Sequence, residues 1–408
     1  MFLLANAHCR ARQLGQKIIC QSRPFPIFQK WLQTAPSNPR STFPRQNPEL
    51  WSNMSFESEG QIHILGLGNL GILFAHALAK EKALFKEDTL SKGVDPPLVT
   101  LLFHRRGLLD DWSNAERQIE ITTGGIPETS SDYYIDINHI LGDTYPIQNL
   151  IVATKSYQTA FAIEIIKDRL SCNSTILFAQ NGMGTIDEVN EKVFPDPAER
   201  PNYLACIAWH GIYSQGPFRS VHAGVGNAII GRVGDSKAPQ YLIDKIVQAK
   251  TLAAEEVPPN ELLRLTLEKL VGNAMINPLT VIFNCRNGEL FDKNPVFGLM
   301  VLLLKEASQV IRSLPELAGD PETASRFSVK SLEAGVLDLA KRTAENTSSM
   351  LQDVRAGRQT EIDYINGYII ERGKELGIEC KNNEKVVKMI KEGKQIQVDE
   401  ISKYFPAQ

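Results

Sequence analysis

Cysteine is scarce and scattered. The 408 residues hold six cysteines (Cys9, Cys20, Cys172, Cys206, Cys285 and Cys380), and no two form a Cys-x-x-Cys pair. That spacing excludes a disulfide framework and a cysteine-built zinc site, and it points to a reducing compartment. The seven histidines include no His-Glu-x-x-His, so no metal is expected. Long apolar runs are missing as well. The stretch 299–304 is cut at once by Lys305 and Glu306, far short of the ~18 to 20 residues of a membrane span. There is no internal repeat. With 28 glycines, 22 prolines and 43% hydrophobic residues, collagen-like, low-complexity and wholly disordered chains are excluded. The length suggests two or three domains.

Acids are absent from the first 48 residues. Arg10, Arg12, Lys17, Arg23, Lys30, Arg40 and Arg45 stand there unopposed, and the first carboxylate is Glu49. Basic, acid-free, Ser/Gln/Pro-rich composition resembles a mitochondrial transit peptide. Residues 1–57 are therefore expected to be a targeting leader outside the fold, with a mitochondrial matrix location. Met54 offers an alternative start and a cytoplasmic form. The remaining 37 basic residues face all 47 acidic ones. So acidic a body repels a phosphate backbone, and no nucleic-acid partner is expected.

What remains reads as strands alternating with helices. Short apolar runs at 61–65, 99–103, 149–154 and 175–179 are candidate strands. Helical patterns fill 72–83 and 159–170, and Lys86 to Pro97 reads as a surface loop. This alternation predicts an α/β fold, a parallel sheet with helices on both faces. Beyond 255–260 (Glu-Glu-Val-Pro-Pro-Asn) only long helices follow, at 261–276, 296–314, 328–344 and 360–376. The expected organisation is an N-terminal Rossmann-type dinucleotide-binding domain over 58–257 and an all-helical C-terminal domain over 258–400.

The first strand runs into Gly66-Leu67-Gly68-Asn69-Leu70-Gly71, followed by a helix. In a GxGxxG turn the first glycine allows the tight bend. The second lets backbone approach a pyrophosphate, and the third lets helix pack on strand. The second strand ends in Phe103-His104-Arg105-Arg106 rather than in an acid. Arginine there suits a ribose 2′-phosphate, so NADP(H) is favoured over NAD(H).

Further on, Lys269, Asn273 and Asn277 recur at i, i+4 and i+8, one stripe of a helix. Asparagine is a poor interior helix residue. Two asparagines beside a lysine make a site for a small anion, where the lysine can act as general acid to a ketone. Solvation of the stripe is the alternative. Pro278 leaves open that Asn277 is only a helix end, and Asn287-Gly288 reads by default as a turn.

The segment Lys269-Leu-Val-Gly-Asn273-Ala-Met-Ile-Asn277-Pro-Leu-Thr, then Cys285-Arg-Asn287-Gly-Glu-Leu, resembles the ketopantoate reductase (2-dehydropantoate 2-reductase) family. So do Gln180-Asn181-Gly182-Met183-Gly184 and the run from Ser348-Ser349 through Glu361 to Gly367. The resemblance spans Gln61 to about Lys391. It implies that Lys269 is the general acid and that Glu361 touches cofactor and substrate and orients the reacting groups. It implies substrate contacts from Lys269, Asn273, Asn277, Asn287 and the closing segment Asn346, Thr347, Ser348 and Ser349. Cofactor contacts are implied for Gly66 to Gly71, Arg105, Lys155, Asn181, Ile212 and Glu361. Other readings stay open residue by residue: Ser348 and Ser349 as helix N-caps, Glu361 as a solvated helix carboxylate, Lys155 as a loop lysine. The implied reaction is NADPH-dependent reduction of 2-dehydropantoate to (R)-pantoate, in pantothenate and coenzyme A synthesis. Alternatives are another 2-oxo acid and a non-catalytic mitochondrial binding or translation-activating relative. A small-molecule 2-oxo acid is the expected partner, and a homodimer is left open.

Overall fold

A computed structural model describes residues 60–88, 98–137 and 145–406. The leader lies outside the described residues, as does the loop expected at Lys86 to Pro97 from residue 89 onward. Helix α1 (Asn69–Asp88) runs two residues past the expected start of that loop.

Strand β1 (Ile62–Leu65) pairs in parallel with β2 (Val99–Leu102) on one side and with a later strand, Asn149–Val152, on the other. Helix α2 (Gly107–Asn114) follows β2, then come β3 (Ile119–Thr123), β4 (Ile126–Ser130) and β5 (Tyr133–Asp136). The chain continues with β6 (Asn149–Val152), α3 (Ser156–Ile165), β7 (Thr175–Phe178), α4 (Thr185–Lys192) and β8 (Asn202–Ala208). Next are β9 (Gly211–Gly216), β10 (Arg219–Gly224), β11 (Ala228–Arg232), α5 (Gln240–Gln248) and β12 (Ala254–Glu256). The main sheet has the order β12-β11-β8-β7-β6-β1-β2-β5. Its last six strands, read from β5, follow the doubly wound order 3-2-1-4-5-6, and the order reverses between β1 and β6. Ligands of such sheets bind at that switch point, beyond the carboxyl ends of the strands.

Two features depart from the expected all-parallel sheet. Strand β11 runs antiparallel to β8. A separate four-stranded sheet, β4-β3-β10-β9, covers helix α1. Its β3–β4 hairpin turns at Gly124 and Gly125, both at positive φ (59° and 83°), which glycine adopts without steric cost. Helix α1 is consequently buried on more than one side: Ile72, Phe74 and Ala75 join the expected Leu73, Ala77 and Leu78 in the core.

Beyond β12 the chain is helical. Helix α6 (Pro259–Phe283) is the axis of this part, with Leu267, Leu270, Val271, Ala274, Met275 and Leu279 in its core. Around it lie α7 (Asn294–Arg312), α8 (Val329–Arg342), α9 (Ser349–Arg355), α10 (Asn366–Glu375) and α11 (Lys381–Lys391). Helix α7 is long and apolar enough to cross a membrane, but Leu299, Met300, Leu303 and Leu304 are buried in the helical core. It is a core helix here.

Helix α6 passes through Pro278, so Asn277 is not a helix end. Proline removes the amide that would bond the carbonyl four residues back. The Asn366 side-chain amide donates to that carbonyl, Ala274 O, at 3.0 Å, and also to Asn383 Oδ1 at 3.0 Å. Asn366→Ala should therefore leave a buried carbonyl unpaired and cost about 1–3 kcal/mol. The check is a urea melt, in which the midpoint falls while the slope is unchanged.

Candidate active site

The glycine turn closes on the neighbouring strand. Gly66 has φ 97°, and a Cβ there would lie 2.5 Å from the Thr154 amide nitrogen. A Cβ on Gly71 would lie 1.9 Å from the Gly66 carbonyl oxygen. Both positions tolerate glycine alone. Gly68 is different: nothing lies within 4 Å of its would-be Cβ, and it is exposed. The first and third glycines thus pack protein against protein, and the second leaves the open cradle that a pyrophosphate needs. Helix α1 starts at Asn69, so its first amides border that cradle. The Asn69 side chain donates to Ile212 O at 3.2 Å, tying the turn to β9. Leu67 packs into the sheet core, and Leu70 is half-buried.

His104, Arg105 and Arg106 are exposed at the end of β2. Arg105 bonds Asp111 at 3.1 Å, and no carboxylate ends the strand.

At the end of β6 the chain leads from Lys155 into α3. The helix begins at Ser156, three residues earlier than expected, and ends at Ile165 with a short turn at 167–169. The early start matters. The Ser156 amide donates to Glu361 Oε1 at 2.9 Å, and the Ser156 hydroxyl lies 2.9 Å from the same oxygen and 2.7 Å from Asn181 O. Glu361 is 6% exposed. It is neither solvated nor helical: the helix expected over 360–376 is broken into a turn at Ile362–Tyr364 and α10. The carboxylate sits at the N-terminus of α3, where the helix dipole favours it. Lys155 approaches its other oxygen at 3.8 Å and bonds Asp353 at 2.6 Å. Burial opposes the Lys155 charge, but Glu361 and Asp353 outweigh it and hold its ammonium above the usual range. Gly182 has φ 84°, and Met183 N donates to Tyr364 O at 2.8 Å, seating the Asn181 loop on the helical region.

On α6 the stripe forms as the spacing predicts. Lys269 Nζ donates to Ala208 O at 2.8 Å, at the end of β8. Burial pushes its ammonium down to about 8, with Cys206 and Glu361 acting in the opposite direction. Asn277 is buried and Asn273 half-buried. Among the described residues neither side-chain amide has a hydrogen-bond partner. Two polar groups left unused beside a desolvated ammonium are suited to a polar ligand.

Asn287 lies in a short turn at 287–289, donates to Thr343 Oγ1 at 3.0 Å, and leaves its buried Oδ1 unpaired. Its amide donates to Asn346 O at 3.1 Å. Asn346 and Ser349 are exposed and Thr347 is half-buried. Ser348 is the N-cap of α9: its Oγ accepts from Leu351 N at 3.1 Å. It also lies 2.6 Å from Thr280 Oγ1, which donates to Asn277 O at 2.7 Å. Residues 287, 346, 348 and 277 are thereby joined, although the one Ser348 proton is already directed at Thr280.

Two members of this cluster escaped sequence reading. Ser156 is hidden because the local pattern starts the helix only at Thr159. Asp353 is 4% exposed and bonds both Lys155 and Arg358 (2.9 Å). Its signal was an acid on a short helix between Leu351 and Val354, since a buried carboxylate needs a cation.

Among the described residues no group of His, Cys, Asp and Glu is placed to hold a metal. Residues 62–235 match the family model described as ketopantoate reductase PanE/ApbA, and residues 261–395 match its C-terminal model. A probable 2-dehydropantoate 2-reductase of Schizosaccharomyces pombe is 29% identical over 347 residues, 81% of this chain and 95% of that one. A ketoisovalerate reductase of Gibberella fujikuroi is also 29% identical, over 79% of this chain and 80% of its own length. In fold the chain is similar to D-mandelate dehydrogenase with NADH and anilino(oxo)acetate bound, at TM-score 0.65 and 19% identity, covering 84% of this chain and 99% of that one.

Proposed function

Because the chain belongs to the ketopantoate reductase family, we propose that it reduces 2-dehydropantoate to (R)-pantoate with NADPH. One observation carries the reading. The ammonium of Lys269, held near a pKa of about 8, shares its helix face with the unpartnered amides of Asn273 and Asn277.

NADPH, when bound, supplies the hydride for C2 of the ketone. Lys269 holds the proton that the C2 oxygen takes up as its charge develops, and a pKa close to the working pH suits that transfer. After the turnover the neutral amine regains a proton from solvent. Asn273 and Asn277 bind the hydroxyl and carboxylate of the substrate. The segment 346–349 closes over the carboxylate, and Asn287, whose backbone amide bonds Asn346 O, steadies it. Glu361, anchored by the Ser156 amide, approaches Lys155 at 3.8 Å and its charge favours the Lys269 ammonium, so it orients the reacting groups.

The choice of NADPH rests on Arg105. Its bond to Asp111 is exposed, so it is worth roughly 0–1 kcal/mol. A charge-assisted contact to a phosphate is worth about 1.5–3 kcal/mol, so the arginine exchanges partners when a 2′-phosphate arrives.

A second reading changes only the substrate. The relative named as a ketoisovalerate reductase is as similar as the one named as a dehydropantoate reductase, which favours testing other branched 2-oxo acids. Purified protein assayed with NADPH against a panel of 2-oxo acids separates the two readings. The first expects the highest kcat/KM with 2-dehydropantoate, and a higher value for 2-ketoisovalerate replaces it with the second. Residues 1–57 belong to the same proposal as a mitochondrial leader. Fused to a fluorescent protein they should give mitochondrial signal, and Arg10, Arg12, Lys17 and Arg23 replaced by Gln should abolish it. Diffuse signal from the intact leader counts against targeting.

A further inference from the structure

Trp209 has no role in the scheme above, yet it stands beside its reacting group. The indole ring centroid lies 5.5 Å from Lys269 Nζ, within the reach of a cation–π contact. Its position is built in. The Trp209 amide donates to Asn227 O at 2.9 Å, extending the β8–β11 pairing by one step. Behind it, a Cβ on Gly226 would lie 2.5 Å from the Trp209 carbonyl oxygen and 3.2 Å from its Cβ. The side chain packs, together with Leu265, against Ile207, Ile229 and Leu262. Leu265 is one turn before Lys269 on α6, so sheet and helix together hold the ring against the lysine.

We propose that Trp209 is a positioning residue for Lys269: its ring face keeps the ammonium charged and aimed into the cleft. The inference rests on Lys269 as the proton donor. Among the described residues the ammonium has Ala208 O as its one hydrogen-bond acceptor, and none of their carboxylates pairs with it at salt-bridge distance. The titratable groups facing it are Cys206 on β8, Glu361 in the turn before α10, and His210 after β8. Cys206 is buried with its thiol pushed up to about 12, and burial lowers the His210 pKa. Both are therefore uncharged at neutral pH. Beside the Ala208 carbonyl, Glu361 and the nearby indole then remain to offset the desolvation of the ammonium. An aromatic face does so without taking the proton, whereas an adjacent carboxylate would hold the lysine too tightly to release it.

The test reads Lys269 in two ways. In the pH profile of kcat, the alkaline limb of Trp209→Leu should move to lower pH by roughly half a unit to one unit, the size of a cation–π contact on that scale. KM should be little changed, and Trp209→Phe should restore most of the shift. Independently of any substrate, intrinsic fluorescence of the wild-type protein should show a titration step near pH 8, below the range of tyrosine ionisation. Lys269→Met and Trp209→Phe should each abolish that step. Its presence and its loss in Lys269→Met support the inference even if no tested 2-oxo acid is reduced, which would count only against the proposed reaction. An unmoved alkaline limb in Trp209→Leu, or a fluorescence step near pH 8 that survives Lys269→Met, overturns it.

Discussion

Lys269→Ala should lower kcat by roughly 10² to 10⁴-fold, the usual worth of a positioned acid. KM for the 2-oxo acid should change much less, because the proton is transferred as the transition state forms and Asn273 and Asn277 still hold the ground state. The wild-type pH dependence follows from the position of the group. A lysine at about 8 is protonated at neutral pH and loses its proton as pH rises through that value. Turnover should therefore be level near neutrality and fall on the alkaline side. In Lys269→Ala that limb should vanish along with most of the rate. Steady-state kinetics across pH 6 to 10 check both parts. An unchanged kcat with a raised KM would mean that Lys269 only binds substrate.

Arg105→Ala should weaken NADPH by roughly 10- to 150-fold, the equivalent of a lost charge-assisted contact, and should leave NADH almost unaffected. The difference arises because only NADPH carries the 2′-phosphate. Binding titrations with each nucleotide, followed by protein fluorescence, give the ratio directly. Equal weakening of both would move the 2′-phosphate contact away from Arg105, with Arg106, also exposed at the end of β2, the next to test.

The glycine turn and the lysine–asparagine stripe were legible in the sequence because each rests on local geometry. Gly66 and Gly71 are demanded by contacts a Cβ cannot share, and a spacing of four puts side chains on one helix face whatever surrounds them. What stayed hidden depends on partners far along the chain. Strand β10 pairs with β3 from about a hundred residues away, and no local pattern records that pairing. Pro278 reads as a helix end until Asn366, 88 positions later, supplies the missing donor. Glu361 looks like a surface carboxylate on a helix until the Ser156 amide, 205 residues earlier, gives it a buried seat. Ser348 carries two legible roles at once, cap and ligand, and its hydrogen bonds in the structure serve the cap and the link to Thr280.

In the proposed reaction Lys269 delivers its proton to a 2-oxo acid lying between the glycine turn and α6. A crystal structure of the protein with NADP⁺ and pantoate decides whether it does so. Lys269 Nζ is expected within about 3 Å of the C2 oxygen, with Asn273 and Asn277 on the same ligand and the 2′-phosphate against Arg105. Pantoate bound with its C2 oxygen away from Lys269, or with both asparagine amides unused, would contradict it.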